Sequence, residues 1–208
     1  LQHSDSTFKY NMSFNNNCQP IKLQKEPKVN ITEYIRKSWY IQEQQVNGYQ
    51  SKEDLYCVVA TYNIDNHSHV PFFNKKVISV YNYANRNSTN GYSVNNSTTL
   101  CARLKNQSNP EKLLVAPCFL PNIFGGDYWI VSVGPSSYNY EWAIVIAGQP
   151  KVKIDNNTCT TKTTGINGAG LWLLTRSQIP NNTTIDMMKN ILTSKNISTR
   201  ELLPVIQK

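Results

Sequence analysis

Several features that would assign this 208-residue chain to a familiar class of protein are absent from its sequence. The longest apolar run, residues 142–148, has the length of a strand and falls far short of the ~18 residues that a membrane-spanning helix needs. No cysteine belongs to a C-x-x-C pair, and the three histidines (His3, His67 and His69) fall in predicted loops. A structural zinc site needs four close ligands with local pairing. We therefore expect neither a transmembrane segment nor a metal site.

Charged residues are also scarce, at 16% of the chain, although their balance is basic. There are 21 Lys and Arg against 13 Asp and Glu, which gives a formal net charge of +8. The basic residues are scattered singly or in pairs, such as Arg36-Lys37 and Lys75-Lys76, and no motif for nucleic-acid recognition accompanies them. We therefore do not expect a nucleic-acid partner, and the charge indicates a mild attraction to acidic ligands or surfaces.

Catalytic motifs are missing as well. The sequence contains no nucleophile elbow, phosphate-binding loop, metal motif or paired Cys and His. We therefore do not expect an enzyme, although two alternatives stay open: an enzyme that acts on a hydrophobic substrate, and a protein-interaction or scavenging module without a specific small ligand.

The five cysteines, in contrast, suit an oxidising compartment. Cys101 and Cys118 flank the polar turn at 105–111, and a hairpin centred near Asn109 would bring the two sulfurs opposite each other. An odd cysteine then remains, so either one thiol is free or its partner lies beyond Lys208. Disulfides of this kind predict a secreted protein, or one in the lumen of a secretory-pathway or vacuolar compartment.

Potential glycosylation sites are numerous and agree with that prediction. The motif Asn-x-Ser/Thr occurs at eleven positions, and we predict a glycoprotein. The asparagines are Asn11, Asn30, Asn66, Asn87, Asn95, Asn96, Asn106, Asn156, Asn181, Asn182 and Asn196.

Hydrophobic periodicity is close to two over most of the chain. Segments rich in Val, Ile, Tyr and Trp alternate with turns of Asn, Gly, Ser and Pro, and no helices separate them. This pattern predicts an all-β domain, either an antiparallel sandwich or an up-and-down barrel. The predicted strands are 38–45, 55–64, 76–83, 92–104, 112–118, 128–133, 140–147 and 170–176.

Only the end of the chain has a convincing helical pattern. Thr183 and Asp186 have the spacing of a capping box, and Asn196 is a suitable stop. One face carries an apolar stripe of Ile185, Met188, Ile191 and Leu192. We expect this helix to bury its stripe against the outside of the sheet.

The residues that say most about how the sheet closes lie in two short segments, Lys37-Ser-Trp39 and the run 170–180. If the sheet closes, its first and last strands are neighbours, and Trp39 can meet Arg176 at one end of the barrel. A guanidinium laid over an indole gains ~0.5–2 kcal/mol and would plug the barrel floor.

These residues resemble the signatures of the lipocalin family. Its first signature, Gly-x-Trp, corresponds to Lys37-Ser-Trp39, with Lys in place of Gly, and its third is an Arg that ends the last strand, here Arg176. The runs 126–133 and 140–148 resemble the strand pair of the second signature, although its Thr-Asp-Tyr is absent. Within the family, the helix around 188–197 is most similar to the apolipoprotein D and bacterial lipocalin type. The resemblance implies an eight-stranded antiparallel up-and-down β-barrel (a calyx) with a C-terminal α-helix packed on the outside.

The resemblance also implies an organisation for the single domain. An extended arm of residues 1–30 is tied down by Cys18, residues 31–180 form the barrel, and residues 181–208 form the helix and tail. By the apolipoprotein D pattern, Cys18 bonds to Cys159, and Cys57 bonds to a C-terminal cysteine that is missing here. Cys57 is then unpaired or bonded beyond the chain end, and Cys101–Cys118 is an additional bond.

The function implied by the resemblance is the transport of a small hydrophobic ligand in the barrel. Candidate ligands are a lipid, a sterol, a retinoid, or a bilin- or haem-like tetrapyrrole, and no cofactor is required. Strand parity predicts that Ile41 and Glu43 face inward with Trp39, and that Leu174 and Trp172 face inward with Arg176. Further candidates for ligand contact, whose face is ambiguous, are Tyr81, Tyr83, Trp129 and Trp142. Trp39 and Arg176 themselves are predicted to be structural residues of the floor.

Other partners are left open by the sequence. Phe72-Phe73, preceded by His67 and His69, would lie in a loop at one barrel end, as a lid or as a weak contact with a membrane surface. An ordinary buried loop anchor is the simpler interpretation. A homo-oligomer also stays open.

Overall fold

The computed structural model describes residues 18–65, 69–94 and 99–208. The predictions for residues 1–17 of the arm, and those for His3, His67, Asn11, Asn66, Asn95 and Asn96, lie outside the described residues. The described chain forms eleven strands and two α-helices. The strands are β1 (Trp39–Gln44), β2 (Tyr56–Asp65), β3 (Val77–Asn85), β4 (Leu100–Arg103), β5 (Lys112–Pro117), β6 (Gly126–Ser136), β7 (Asn139–Ile146), β8 (Val152–Lys153), β9 (Cys159–Thr160), β10 (Leu171–Thr175) and β11 (Leu203–Pro204). The helices are α1 (Ile31–Tyr34) and α2 (Asn182–Ser194).

Eight of these strands close into a barrel. Each of β1 to β6 pairs antiparallel with the next strand, and β10 pairs with both β7 and β1. At the closing seam, Tyr40 lies opposite Thr175 and Ile41 opposite Leu174. The predicted fold class is therefore confirmed: a closed antiparallel barrel of eight strands with a C-terminal helix.

The C-terminal helix α2 packs on the outer wall by the predicted stripe. Met188 and Leu192 are fully buried, and Ile185 and Ile191 pack beside them against the wall. Its N-terminus differs from the predicted capping box. The side chain of Asn181, not of Thr183, caps the helix and accepts a hydrogen bond from the Thr183 backbone N–H at 3.1 Å. Asn196 follows the helix with φ +59°, the left-handed conformation that asparagine tolerates at a helix end.

Three short strands, β8, β9 and β11, were not predicted from the sequence periodicity. β8 and β9 form a hairpin within the long connection from β7 to β10, and β11 adds to β1 outside the barrel. Conversely, β4 is shorter than the predicted strand at 92–104. Each of the three is only two residues long, which is too short to show an alternating pattern.

Two hydrophobic clusters flank the barrel wall. One lies inside the barrel and includes Trp39, Tyr34, Ile130 and Leu174. The other lies between the wall and α2 and includes Val131, Ile144 and Leu173. Consequently β6, β7 and β10 are buried on both faces.

Two disulfide bonds are formed, Cys18–Cys159 and Cys101–Cys118, both as predicted. The first ties the N-terminal segment to strand β9, and the second joins the ends of the β4–β5 pair. Cys57, at φ +50°, is a free thiol. Within the described ranges, no helix is long and apolar enough to cross a membrane.

Candidate functional site

One end of the barrel is closed by an aromatic and cationic plug. Trp39 opens β1 with its indole completely buried, and the Arg176 guanidinium carbon lies 3.5 Å from the centroid of that indole. Tyr34 of α1 packs on Trp39 with the ring centroids 5.3 Å apart. Sequence reasoning predicted that Trp39 and Arg176 meet, and the structure places them in contact.

Arg176 also binds the backbone around the plug. Its guanidinium donates hydrogen bonds to the carbonyl oxygens of Tyr34 (2.8 Å), Glu33 (3.0 Å) and Ser38 (3.1 Å), and to those of Lys37 and Tyr140. The Trp39 indole N–H donates to the same Tyr34 carbonyl at 2.9 Å. Burial, with a smaller effect from nearby Arg36, lowers the pKa of Arg176 to about 10. Arg176 therefore stays charged at neutral pH and fixes α1 across the floor.

Above this floor lies a cavity of about 330 Å³. The loops that join β1 to β2 and β7 to β10 line its mouth with Tyr49, Gln50 and Ile166. Nearly half of the lining residues are aliphatic, and most of these occupy inward-facing strand positions. These aliphatic residues include Ile41, Val58, Ala60, Val80, Ala84, Val94, Leu100, Val115, Ala116, Ala147, Ala169 and Leu174.

Four of the predicted ligand-contact residues lie on the cavity wall: Ile41, Tyr83, Trp172 and Leu174. The indole of Trp172 fits there because of a nearby glycine. Gly170 adopts φ +132°, and a Cβ at this position would lie only 2.1 Å from the Trp172 ring. The geometry therefore gives Trp172 a ligand-facing position, while its contact with a ligand stays a prediction.

The inward face predicted for Glu43 is wrong. A β-bulge between Ile41 and Glu43 shifts the register of β1 against β10, so that Gln44 occupies the inward position instead. Glu43 points to the outside, where its carboxylate forms an ion pair with the ammonium group of Lys189 in α2 at 2.6 Å. The bulge reverses the side-chain alternation on which the prediction rested.

The other three aromatic candidates lie outside the cavity. Tyr81 is half-exposed on the outer face of β3. Trp129 and Trp142 belong to the cluster beneath α2, and the Lys112 ammonium lies 4.3 Å from the centroid of the Trp129 ring. All three therefore lie outside the cavity. The faces of Trp129 and Trp142 were ambiguous in the sequence because the outer wall beneath α2 is also apolar.

Three tyrosines that sequence reasoning did not select meet at the inner end of the cavity. The Tyr128 hydroxyl is hydrogen-bonded to that of Tyr34 at 2.6 Å and to that of Tyr62 at 2.8 Å. We call these three residues the tyrosine cluster. Tyr62 and Tyr128 line the cavity, and Trp172 stacks on Tyr128 with the centroids 6.4 Å apart. Alternation along β2 (Val58, Ala60, Tyr62) was the one sequence signal that could have placed Tyr62 inside.

Burial keeps this cluster uncharged. It raises the pKa of Tyr62 to about 12, and it raises the pKa values of Tyr34 and Tyr128 well above the ordinary range. All three phenols therefore keep their protons at neutral pH.

The remaining polar wall lies toward the mouth. Asp54 accepts hydrogen bonds from the Arg86 guanidinium, one of them at 2.9 Å, and these lower the pKa of its carboxyl. Gln44 is fully buried and donates to the Gln50 side chain at 3.0 Å, whereas its own Oε1 has no partner in the described part of the chain. Asp127 also lines the cavity.

Groups of His, Cys, Asp and Glu that could hold a metal ion are absent from the described residues. Cys57 does not line the cavity, and its Sγ lies 3.7 Å from the Thr89 carbonyl oxygen. The cavity offers apolar contacts and hydrogen bonding by neutral side chains, beside the two carboxyl groups of Asp54 and Asp127.

The closed eight-stranded barrel with an outer C-terminal helix is the lipocalin calyx. In solved structures, it is similar to the major allergen Per a 4 from cockroaches, with a TM-score of 0.55 and 16% identity over 93% of this chain and 97% of that one. It is similar to apocrustacyanin C1 with a TM-score of 0.58 and 14% identity, over 92% and 90% of the two chains. For lobster apocrustacyanin A1 the TM-score is 0.53 and the identity 15%, over 86% and 80%.

At these identities the likeness shows the fold alone. No family model matches the sequence, and no curated protein matches it significantly.

Proposed function

We propose that this protein binds one small hydrophobic molecule in the barrel cavity and carries or sequesters it. The observation that supports the proposal is the cavity of about 330 Å³ with a largely apolar wall. Its volume falls in the range of ~300–1,000 Å³ that is typical of small-molecule sites. A sealed floor at one end and a mouth formed by loops at the other suit entry from a single side.

The apolar wall accounts for affinity without strong polar contacts. Burying ~300–400 Å² of apolar ligand surface at ~25 cal/mol/Å² contributes on the order of 8–10 kcal/mol before the costs of association. We therefore expect dissociation constants in the micromolar range or weaker.

The proposed location is extracellular, or the lumen of a secretory or vacuolar compartment. The two disulfide bonds support it, because such bonds persist in oxidising compartments. The sequon asparagines in the described residues are all exposed, which supports glycosylation of the same protein. They are Asn30, Asn87, Asn106, Asn156, Asn181, Asn182 and Asn196. The Cys18–Cys159 bond, which the resemblance to the apolipoprotein D type implied, supports a relationship to that group.

The experiment follows tryptophan fluorescence during titration with retinol. Of the four tryptophans, Trp172 lines the cavity, Trp39 is buried in the floor, and the other two lie beneath α2. We expect saturable quenching in the wild type that is largely lost in Trp172→Phe and retained in the matched control Trp142→Phe. Quenching that is equal in the two variants would argue against binding in the barrel. Native mass spectrometry of protein from its own source, followed by extraction, would then identify the bound molecule.

A further inference from the structure

We propose that the tyrosine cluster of Tyr34, Tyr62 and Tyr128 is a polar subsite that binds the uncharged carbonyl or hydroxyl oxygen of an otherwise apolar ligand. This inference rests on the proposed function and narrows it, because it states which chemical class the cavity prefers and which end of the ligand lies innermost.

The hydrogen bonds of the cluster leave donor capacity for a ligand. Each phenol carries one proton and can also accept. The bond between Tyr34 and Tyr128 and the bond between Tyr62 and Tyr128 use two of the three protons. In two of the three arrangements that these bonds allow, the third proton belongs to Tyr62 or Tyr128, which both line the cavity, and there it is available to an acceptor that enters.

The setting makes such an acceptor valuable. A hydroxyl proton without an acceptor in a buried apolar setting carries a desolvation cost, which a ligand oxygen removes. The cluster is held rigidly from below, since Tyr34 packs on Trp39 and its ring centroid lies 5.7 Å from that of Tyr62. A rigid donor loses little entropy when it binds.

The charges around the cavity restrict the ligand further. Asp54 and Asp127 are the charged residues among those that line it, and Lys and Arg do not occur in that set. A ligand carboxylate would therefore lose its water without gaining a cation. The three phenols stay neutral as well, so the subsite suits a ketone, an aldehyde, an ester or an alcohol better than a fatty acid or a tetrapyrrole that bears carboxylates.

Gln44 offers a second polar contact of the opposite kind. Its buried Oε1 is an acceptor without a partner among the described residues, and Gln44 is on the cavity wall. A ligand that bears a hydroxyl group away from its inner oxygen can donate to this atom. The two contacts together favour an elongated apolar molecule with oxygen functions rather than a pure hydrocarbon.

The test compares two probes of nearly equal shape. Methyl nonyl ketone is titrated in parallel with its analogue in which a =CH₂ group replaces the carbonyl oxygen, and affinities are measured by displacement of retinol. We expect the wild type to bind the ketone about tenfold more tightly than the analogue, as one hydrogen bond allows. Tyr128→Phe should abolish this ratio and leave the affinity for the analogue unchanged.

Tyr81→Phe is the matched control, because Tyr81 lies half-exposed on the outer face of β3 and does not line the cavity. It should keep the tenfold ratio. Circular dichroism checks that each variant folds. If Tyr128→Phe does not fold, Tyr62→Phe serves as the second variant.

The outcomes separate the two proposals. A wild type that binds both probes equally, or a ratio that survives in both cluster variants, would overturn the subsite and leave the carrier function standing. Failure to bind either probe or retinol would overturn the carrier function itself. Undecanoate binding more tightly than the ketone would overturn the restriction to uncharged ligands.

Discussion

The guanidinium carbon of Arg176 lies over the indole of Trp39, 3.5 Å from the ring centroid, at the seam where β10 meets β1. Neither residue is close to the other in sequence, and their contact requires the sheet to close. The same guanidinium holds backbone carbonyls of α1, so one side chain joins the floor, the seam and the N-terminal helix.

Arg176→Lys should therefore destabilise the barrel although it keeps the charge. An ammonium cannot stack flat on an indole or donate to five carbonyls at once. We expect the free energy of unfolding to fall by about 2–4 kcal/mol, measured by urea denaturation. Arg36→Lys is the control, because Arg36 forms partly exposed ion pairs with Glu33 and Glu141 and should cost less than about 1 kcal/mol. Equal losses in both variants would contradict the structural role of the plug.

The tyrosine cluster predicts a loss of stability at alkaline pH. The ordinary pKa of tyrosine is 10.0, and burial raises that of Tyr62 to about 12 in the folded protein. Below pH 10 the phenol is neutral in both states, and its contribution to stability is complete. As the pH rises from about 10 to 12, the unfolded state releases its protons first, so the free energy of unfolding falls.

Urea denaturation at a series of pH values, with tyrosinate absorbance as a second signal, measures this effect. Tyr62→Phe should show a shallower fall above pH 10 than the wild type. The half-exposed Tyr81 provides the control variant Tyr81→Phe, which should follow the wild type. A Tyr62→Phe curve parallel to that of the wild type would contradict the burial of this phenol.

Filling the cavity should abolish binding and leave the fold intact. Val115 of β5 lines the cavity, and Phe at this position would occupy space that a ligand needs. We expect Val115→Phe to weaken retinol binding at least tenfold in a fluorescence titration. Val152→Phe, on the exposed hairpin strand β8, should bind as the wild type does. Unchanged binding by Val115→Phe would place the ligand outside the barrel.

Gly170→Ala should disturb the wall where Trp172 lies. The residue has φ +132°, and its added Cβ would meet the Trp172 ring at 2.1 Å. Strain and overlap together should cost about 2–4 kcal/mol of stability and shift the fluorescence of Trp172. Gly165→Ala is a close match, since Gly165 also has a positive φ (+87°) but no atom within 4 Å of its added Cβ. It isolates the backbone strain, and should cost about 1–2 kcal/mol.

Removing the bond between Cys18 and Cys159 should destabilise the protein through its unfolded state. The two residues are 141 positions apart, so the bond restricts a long loop. We expect the double variant Cys18→Ala, Cys159→Ala to lose about 2–4 kcal/mol. Cys57→Ala is the control, because Cys57 is a free thiol. Thermal denaturation of both variants distinguishes them, and equal midpoints would contradict the prediction.

The architecture was predictable because its signals are local and repeated. Eight segments with period two and one amphipathic helix are each visible in the sequence, and Trp39 and Arg176 mark the ends of the first and last strands. The turn at 105–111 also predicted the Cys101–Cys118 bond, since a hairpin fixes which residues lie opposite each other.

The side-chain faces were less predictable, for two physical reasons. A single bulge in β1 turns Glu43 outward and Gln44 inward, and no residue pattern in the sequence predicts this bulge. Trp129 and Trp142 lie on strands that are buried on both faces, so apolar character does not tell the inside from the outside. The tyrosine cluster combines residues from α1, β2 and β6, and only the closed fold brings them together.

Tyr34 belongs to two networks at once. Its carbonyl oxygen accepts from Arg176 and Trp39 in the floor, and its hydroxyl reaches Tyr128 beside the cavity. One residue therefore connects the floor and seam of the barrel to the tyrosine cluster beside the cavity. A molecule that binds the native state raises its melting temperature according to concentration and affinity. Thermal denaturation curves recorded in the presence of each member of a panel of oxygenated hydrocarbons would therefore rank these candidate ligands by affinity, and the ligands need no chromophore.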